Sequence, residues 1–318
     1  MQLPVQAVQA LQVLVVLVAA PFVSGAIAHI EARIQGRRGP RVLQPYYDIA
    51  KLFSKETLLP QDASWFFLAA PVIAFTSFLV VPMLIPVLTD FPLPLGYMGD
   101  IMGGGLVLAL GGFSLALAAV GTGDPYAQLG SSRAMTFGAL IEPSVLFVVF
   151  AVALITTTDL PYAMAAVDRS SLAQAIRPAH LFAAVAFFLV VLSDTGRIPV
   201  ETHVSTLELG MIDEARGFEH SGPAFALLKW GAAVKQLVLY VILVDVFSAP
   251  WGLAGSRRLG PVLLAIPILL GKALGAGALF ALIDNSFSKL RLYKITEFMA
   301  SAFALSAVAV LVLYLGSG

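Results

Sequence analysis

The sequence predicts an all-α integral membrane protein with about eight transmembrane helices. Of its 318 residues, 59% are hydrophobic and 12% are charged, whereas a soluble domain has roughly 25% charged residues to wet its surface. The apolar residues come in runs that are long enough for membrane helices and too long for strands. Lysine plus arginine and aspartate plus glutamate number 19 each, so no net charge favours a nucleic-acid partner.

Eight apolar runs account for the predicted spans, because a helix that crosses the bilayer needs about 20 mostly apolar residues. They lie at 9–30, 64–88, 103–121, 136–158, 177–193, 227–249, 260–283 and 297–315. No lysine or arginine precedes the first run, so it lacks the basic start of a secretory signal and is expected to remain as a span. We find no internal repeat or soluble domain, so residues 1–318 are predicted to form a single membrane domain.

The basic residues predict the orientation of the spans. If the N-terminus lies outside, the inner loops hold thirteen of the 19 lysines and arginines, the outer loops hold four, and two fall within spans. This bias satisfies the positive-inside rule, so both termini are predicted to lie outside.

Two inner loops are larger than the other connections and carry opposite charges. Residues 31–63 are basic and contain a helix-like piece from Gln44 to Lys55, which is expected to lie along the membrane surface or under a docked partner. Residues 194–226 carry six acids against two bases up to Glu219. Carboxylates that are crowded and poorly hydrated have raised pKa values and can pass protons or hold a cation. The alternative is a solvated acidic loop that pairs with the basic one.

Ionisable residues within the spans form a second group of candidates. Each costs at least roughly a few kcal/mol when it faces lipid, so each should face protein or water. Glu142 and Lys235 are interpreted as part of an ion pathway, although pairing of Glu142 with Lys235 or Lys272 would also satisfy them. Asp245 and Asp284 are expected to reach the surface from span ends. No P-loop lysine, HExxH pair or nucleophile elbow is present in the sequence.

Several motifs along the chain resemble one family of membrane subunits. The first inner loop reads EARIQGRRGPRVLQPYYDIAKLFSKE at 31–56. It is followed in order by GSSR at 130–133, Glu142-Pro143, DTGRIPVE at 194–201, LEL at 207–209, EHSG at 219–222 and KLRLYK at 289–294. This series resembles the quinone-site membrane subunit (subunit 1/H) of respiratory complex I. It equally resembles the homologous membrane anchor of group 4 NiFe hydrogenases and formate hydrogenlyase.

Details of the acidic tract favour the hydrogenase branch of this family. Gly196 precedes Arg197 where complex I subunits usually have asparagine. Val204 and Thr206 stand where complex I has glutamates, so only Glu208 of that set is present. The stretch at 211–215 is slightly longer than in complex I, as in hydrogenase anchors.

The resemblance implies a non-catalytic membrane subunit that anchors a peripheral redox arm and couples its chemistry to proton or sodium translocation. Eight residues would form the platform for this arm: Arg33, Gln35, Arg37, Arg38, Gln44, Asp48, Lys51 and Arg197. Seven residues would carry ion translocation or coupling: Glu142, Asp194, Glu201, Glu208, Asp213, Glu214 and Lys235. No residue is predicted to be catalytic or to bind a metal.

The resemblance also implies partners and a location. The partners would be an iron–sulfur small subunit, a large catalytic subunit and antiporter-like membrane subunits in the cytoplasmic (inner) membrane of a prokaryote. A NiFe centre and iron–sulfur clusters would belong to those partners, because this chain has no cysteine.

Two other functions stay open at this stage. One is a quinone-binding membrane subunit of a complex I-like NADH– or ferredoxin–quinone oxidoreductase, with a quinone cavity built from the first span, the surface helix and the acidic loop. The other is a stand-alone cation transporter. The sequence shows no inverted repeat or pair of broken helices in favour of a transporter.

Overall fold

The computed structural model describes residues 2–60, 63–170, 177–195, 215–286 and 295–316. Within these ranges the secondary structure is helical apart from two isolated β-bridges, Gln2–Arg258 and Thr89–Ala254. Seven helices are long and apolar enough to cross a membrane, and an eighth apolar helix has 17 residues. The predicted all-α membrane fold is therefore confirmed, and the helices agree with about eight spans.

The helices follow the predicted runs in order. The eight spanning helices are α1 (Val5–Ile34), α3 (Trp65–Leu84), α4 (Ile101–Val120), α5 (Pro125–Thr156), α7 (Pro178–Asp194), α8 (Gly222–Val241), α9 (Leu259–Ser286) and α10 (Ile295–Gly316). Helix α8 continues directly into a π-helix, Ile242–Ser248. Two short helices, α2 (Gln44–Phe53) and α6 (Pro161–Ser170), lie between spans.

Polar caps set several helix starts more sharply than hydropathy does. Asp124 accepts a hydrogen bond from the backbone N–H of Ala127 at 2.6 Å, and Pro125 occupies the first turn. This cap starts α5 eleven residues before the predicted apolar run, because a capped proline start satisfies N–H groups that would otherwise lack partners. Asp100 caps α4 in the same way, with 2.9 Å to the N–H of Gly103.

Five helices surround the centre of the bundle. Helix α3 packs on α4 and α8, α4 packs on α5, α5 packs on α7, and α7 packs on the π-helix that continues α8. Helix α10 covers α5 and α7 from outside, and α1 lies between α8 and α9. We call the side that holds residues 31–63 and 215–221 the loop side, and the side where α1 begins the terminal side.

The basic loop is held against the start of α8. The Ser221 hydroxyl bonds to both backbone groups of Leu58, accepting from its N–H at 2.7 Å and donating to its carbonyl at 3.1 Å. Gly222 has a φ of +55°, and a Cβ there would lie 2.5 Å from the carbonyl oxygen of Glu56. We call this contact between Ser221, Gly222 and residues 56–58 the joint. Only glycine fits it, because both its backbone conformation and its close approach exclude a side chain.

Substitution of Gly222 by alanine is expected to loosen the joint. A non-glycine residue with positive φ costs about 1–3 kcal/mol, and the overlap with Glu56 adds to that cost. Limited proteolysis in detergent should therefore cut residues 35–60 faster in G222A than in the wild type. Gly271→Ala is the matched control, because Gly271 lies within α9 and a Cβ there meets nothing within 4 Å. Equal cleavage of G222A and the wild type would contradict this account of the joint.

Candidate functional site

A cavity of about 490 Å³ lies among α3, α4, α5, α7 and α8. Most of its wall is apolar, with side chains such as Leu108, Val145 and Leu239. Five charged residues also line it: Asp100, Glu142, Asp194, Arg216 and Lys235. We call it the central cavity. Charged groups in an apolar wall are costly and are typical of ion or substrate pathways in membrane proteins.

Asp194 and Lys235 form an ion pair in this cavity. The distance from Lys235 Nζ to Asp194 Oδ1 is 2.7 Å, and the two side chains are 25% (Asp194) and 21% (Lys235) exposed. Helix α7 has 17 residues and is therefore about 25 Å long, shorter than the roughly 30 Å apolar layer. Its last residue, Asp194, accordingly ends inside the layer, where it meets a lysine from the middle of α8.

The local electrostatics favour this pairing. Asp194 sits at the carbonyl end of α7, where the helix dipole repels a carboxylate and attracts a cation. Lys235 provides the cation, and its Nζ also lies 5.9 Å from the ring centroid of Phe78, within cation–π range. The expectation that Lys235 pairs with Glu142 is therefore wrong. The carboxylate at the end of the short helix α7 takes the lysine instead.

Glu142 lines the central cavity from α5 without an ion pair to any residue that the structure describes. Pro143 follows it within the helix. Because proline donates no backbone hydrogen bond, it frees one carbonyl of the preceding turn for another partner. Glu142 thus adds an ionisable group to the same cavity as the Asp194–Lys235 pair.

Arg216 reaches the central cavity from the segment before α8. Its Nη1 donates to the carbonyl oxygen of Gly112, in α4, at 3.1 Å. The sequence placed Arg216 among the inner-loop charges only. No pattern in the sequence indicates its position, because the contact joins residues that are 104 positions apart.

A second buried ion pair lies outside the central cavity. Lys272 Nζ, on α9, is 2.5 Å from Asp245 Oδ1 and 2.7 Å from the carbonyl oxygen of Ala249. Asp245 lies in the π-helix and is only 1% exposed. The expectations that Asp245 reaches the surface and that Lys272 pairs with Glu142 are therefore wrong, because the two residues satisfy each other between α9 and the π-helix. Such irregular turns often lie at functional sites.

The predicted platform residues of the basic loop lie on the loop side. Six of them are exposed: Arg33, Gln35, Arg37, Arg38, Asp48 and Lys51. Gln44 is half-buried, and its side-chain amide donates to Asp48 at 2.8 Å. Helix α2 begins at the predicted Gln44 and packs on α1 and α8. The surface helix predicted from the sequence is thus present.

Five of the predicted residues lie outside the described ranges. They are Arg197 of the platform set and Glu201, Glu208, Asp213 and Glu214 of the coupling set. Among the predicted coupling residues, the structure therefore places Glu142, Asp194 and Lys235, and all three line the central cavity.

A second cavity, of about 740 Å³, lies between α1, α2 and the start of α8. Leu52, Phe225 and Lys229 are among its lining residues, and so is His220. His220 is 5% exposed and stacks on Phe67 with ring centroids 4.1 Å apart. Neither of its ring nitrogens has a hydrogen-bond partner among the residues that the structure covers. We call this the surface cavity.

Burial keeps His220 neutral. It lowers the pKa of His220 from 6.5 to about 4, since an imidazolium ring is poorly solvated in this position. His220 precedes α8 and lies outside the spans, two residues before the joint at Gly222. In the described part of the chain, no group of three histidine, cysteine, aspartate or glutamate side chains forms a metal site.

These features define a class of protein: a multi-pass helical membrane protein with paired charges inside its bundle and a charged loop held against one face. The family model for NADH dehydrogenase matches residues 7–315. The chain therefore belongs to the NADH dehydrogenase family.

Individual relatives agree with this family over most of the chain. Formate hydrogenlyase subunit 4 of Escherichia coli (strain K12) is 32% identical over 284 residues, which cover 89% of this chain and 90% of that protein. Hydrogenase-4 component C of the same organism is 31% identical over 302 residues, which cover 94% of this chain and 92% of that protein. A subunit of the NADH-quinone oxidoreductase of Syntrophotalea carbinolica is 29% identical, with 89% of this chain and 90% or less of that protein, namely 86%, covered.

A solved structure shares the fold. A chain in the structure of the membrane-bound sulfane sulfur reductase, an archaeal respiratory membrane complex, superposes with a TM-score of 0.83 and 19% identity, covering 98% of this chain and 100% of that one. The predicted family resemblance and its assignment to membrane subunits of complex I-like and hydrogenase-type assemblies are thereby confirmed.

The stability of the protein is expected to fall in acid because of His220. Its pKa is about 4 in the folded chain and 6.5 when released, so the unfolded state binds more protons between these values. The stabilisation is complete above pH 6.5 and is lost as the pH falls towards 4, by up to about 1.4 kcal/mol per pH unit. Thermal unfolding in detergent from pH 7 to pH 5 measures this loss.

The control for this experiment is His220→Phe, which keeps a ring on Phe67 but has no titrating group. H220F should lose less stability over the same pH range than the wild type. An identical loss in both proteins would show that other groups cause the acid sensitivity.

Proposed function

We propose that this chain is the membrane subunit of an energy-converting hydrogenase-type complex and couples the chemistry of a peripheral redox arm to proton or sodium movement. The Asp194–Lys235 ion pair, in a cavity that Glu142 also lines, is the observation that carries this proposal. Ionisable groups inside a membrane bundle are expected to serve a pathway, because their burial is costly.

The platform would hold the arm, and the acidic loop would transmit its redox state. The exposed basic residues around Arg37 and Lys51 offer charge to a docked subunit. Asp194 stands at the start of the acidic tract and also holds Lys235. A change of charge above this tract would therefore change the field at the ion pair, which is a route from the redox arm into the central cavity.

The proposed partners are an iron–sulfur small subunit, a large catalytic subunit and antiporter-like membrane subunits. In this arrangement the NiFe centre and iron–sulfur clusters belong to the partners. The protein would lie in the cytoplasmic membrane as a single domain with both termini outside, since its basic loop then faces the cytoplasm. The similarity to formate hydrogenlyase subunit 4 supports this choice of complex.

Removal of the Lys235 charge tests the proposal in the purified complex reconstituted into vesicles. Lys235→Met should lower coupled ion movement about tenfold or more, because a positioned proton-transfer group typically contributes ~10²–10⁴-fold. Hydrogenase activity with soluble dyes should persist, because the chemistry takes place in the partner subunits. Glu208→Gln, in the acidic tract, is expected to separate the two activities in the same way.

Lys272→Met is the matched control, because it breaks a buried ion pair outside the central cavity. Coupling should survive in an assembled K272M complex. Equal loss of coupling in both variants would assign the effect of K235M to bundle stability. Loss of dye-linked activity in a normally assembled K235M complex would count against the proposed division of roles.

A second candidate function is quinone binding in the surface cavity. The cavity lies between α1, α2 and the start of α8 and has apolar walls at Ile49, Leu52 and Phe225. The ring nitrogens of His220 have no partner in the described chain, so one N–H fits a quinone carbonyl oxygen. A bound quinone would accept the electrons of the redox arm.

Analysis of the purified complex distinguishes the two candidates. The hydrogenase-type function predicts co-purification of nickel and iron–sulfur proteins without stoichiometric quinone. Quinone extracted in a one-to-one ratio to the chain, and depleted in H220F, would favour the second candidate. Nickel content and solvent-extracted quinone, measured on the same preparation, decide between them.

A further inference from the structure

We infer that Arg216 is a fixed positive charge that makes the central cavity selective for protons over metal cations. The inference rests on the proposed function, since it specifies which ion the cavity handles. It names a selectivity-determining residue from its position in the structure.

Arg216 lies well inside the bundle. Its Nη1 bonds to the carbonyl oxygen of Gly112, which is eight residues from the end of α4 at Val120. That distance corresponds to about 12 Å of helix. The turn that carries Arg216 packs on both α4 and α5. The guanidinium group is therefore inserted between the helices that also carry Gly112 and Glu142.

A glycine in α4 provides the acceptor for Arg216. A Cβ at Gly112 would meet nothing within 4 Å, so the absence of a side chain leaves the Gly112 carbonyl approachable from the cavity. The arginine is protonated at every physiological pH. It thus contributes a charge that no proton uptake or release in the cavity can remove.

The other charges of the cavity do not compose a cation site. Lys235 is a second positive group, and it occupies an oxygen of Asp194 at 2.7 Å. A metal cation entering from the loop side would meet two positive side chains in a poorly solvated wall, and would need several oxygen ligands to replace its water. No cluster of three such side chains exists within the described ranges.

A proton has no such requirement. It moves by protonation and deprotonation of side chains, and Glu142, Asp194 and Lys235 are titratable groups on the cavity wall. Arginine in a pore wall is a known physical means of repelling cations. The arrangement of Arg216 and Lys235 therefore admits proton transfer and opposes sodium.

The test uses the complete complex in sealed vesicles, driven by its electron donor, with an interior pH dye and radioactive sodium as probes. Wild-type complex should change the interior pH equally well in sodium-free and sodium-containing buffer. Arg216→Gln should raise sodium uptake about tenfold or more, because one fixed charge is removed from a low-dielectric wall. Arg216→Lys keeps the charge and should keep sodium out.

Arg169→Gln serves as the matched control. Arg169 pairs with Asp90 at 2.6 Å at the terminal side, away from the central cavity, so R169Q should behave as the wild type. Arg216→His provides a second variant in case R216Q fails to assemble. Its sodium uptake should be higher at pH 8, where the imidazole is neutral, than at pH 6, with no such difference in the wild type.

Two results would overturn the inference. One is sodium uptake by R216Q, or by R216H at pH 8, that equals the wild-type uptake in assembled complexes. The other is a proton signal in the wild type that requires sodium. A complex that turns over but moves neither ion would instead overturn the proposed function, and the inference with it.

Discussion

The short length of α7 determines where charge lies in this protein. A helix of 17 residues that starts at one membrane surface ends before the other, and here its last residue is a carboxylate. A carboxylate at the carbonyl end of a helix within an apolar layer is stable only beside a cation. Lys235 provides it, and five helices then pack around the resulting pair. The central cavity follows from this requirement, because the pair keeps apolar side chains from closing the space between α4, α5 and α8.

Helix α8 connects the charged features to one another. Its first residue, Gly222, fixes the basic loop through the joint, its middle carries Lys235, and its continuation as a π-helix carries Asp245. A displacement of α8 at the joint would reach both ion pairs through one continuous element. Neutral His220 stacks on Phe67 beside the joint, so a proton taken up there would weaken the contact between the loop and α8.

Hydropathy could predict the spans because each is a long apolar run, and sequence motifs could predict the family because they keep their order. The ion-pair partners could not be predicted in the same way. Whether Lys235 meets Glu142 or Asp194 depends on the depth at which α7 ends, and that depth is a property of the packed bundle. The position of Arg216 depends on a contact with Gly112, far away in sequence. Asp245 was recognised as an ionisable residue in a span, but its burial follows from the π-helix, which hydropathy does not show.

The neutral composition of the chain has a structural counterpart inside the membrane. Asp194 with Lys235, and Asp245 with Lys272, each place one positive and one negative charge at contact distance. Protonation of one partner leaves the other unpaired, and an unpaired charge inside a membrane bundle is strongly unfavourable. Each pair is consequently stable in one charge state and sensitive to any field that changes it. The acidic tract that begins at Asp194 is the nearest source of such a field, so the pair at the end of α7 responds first to a change on the loop side.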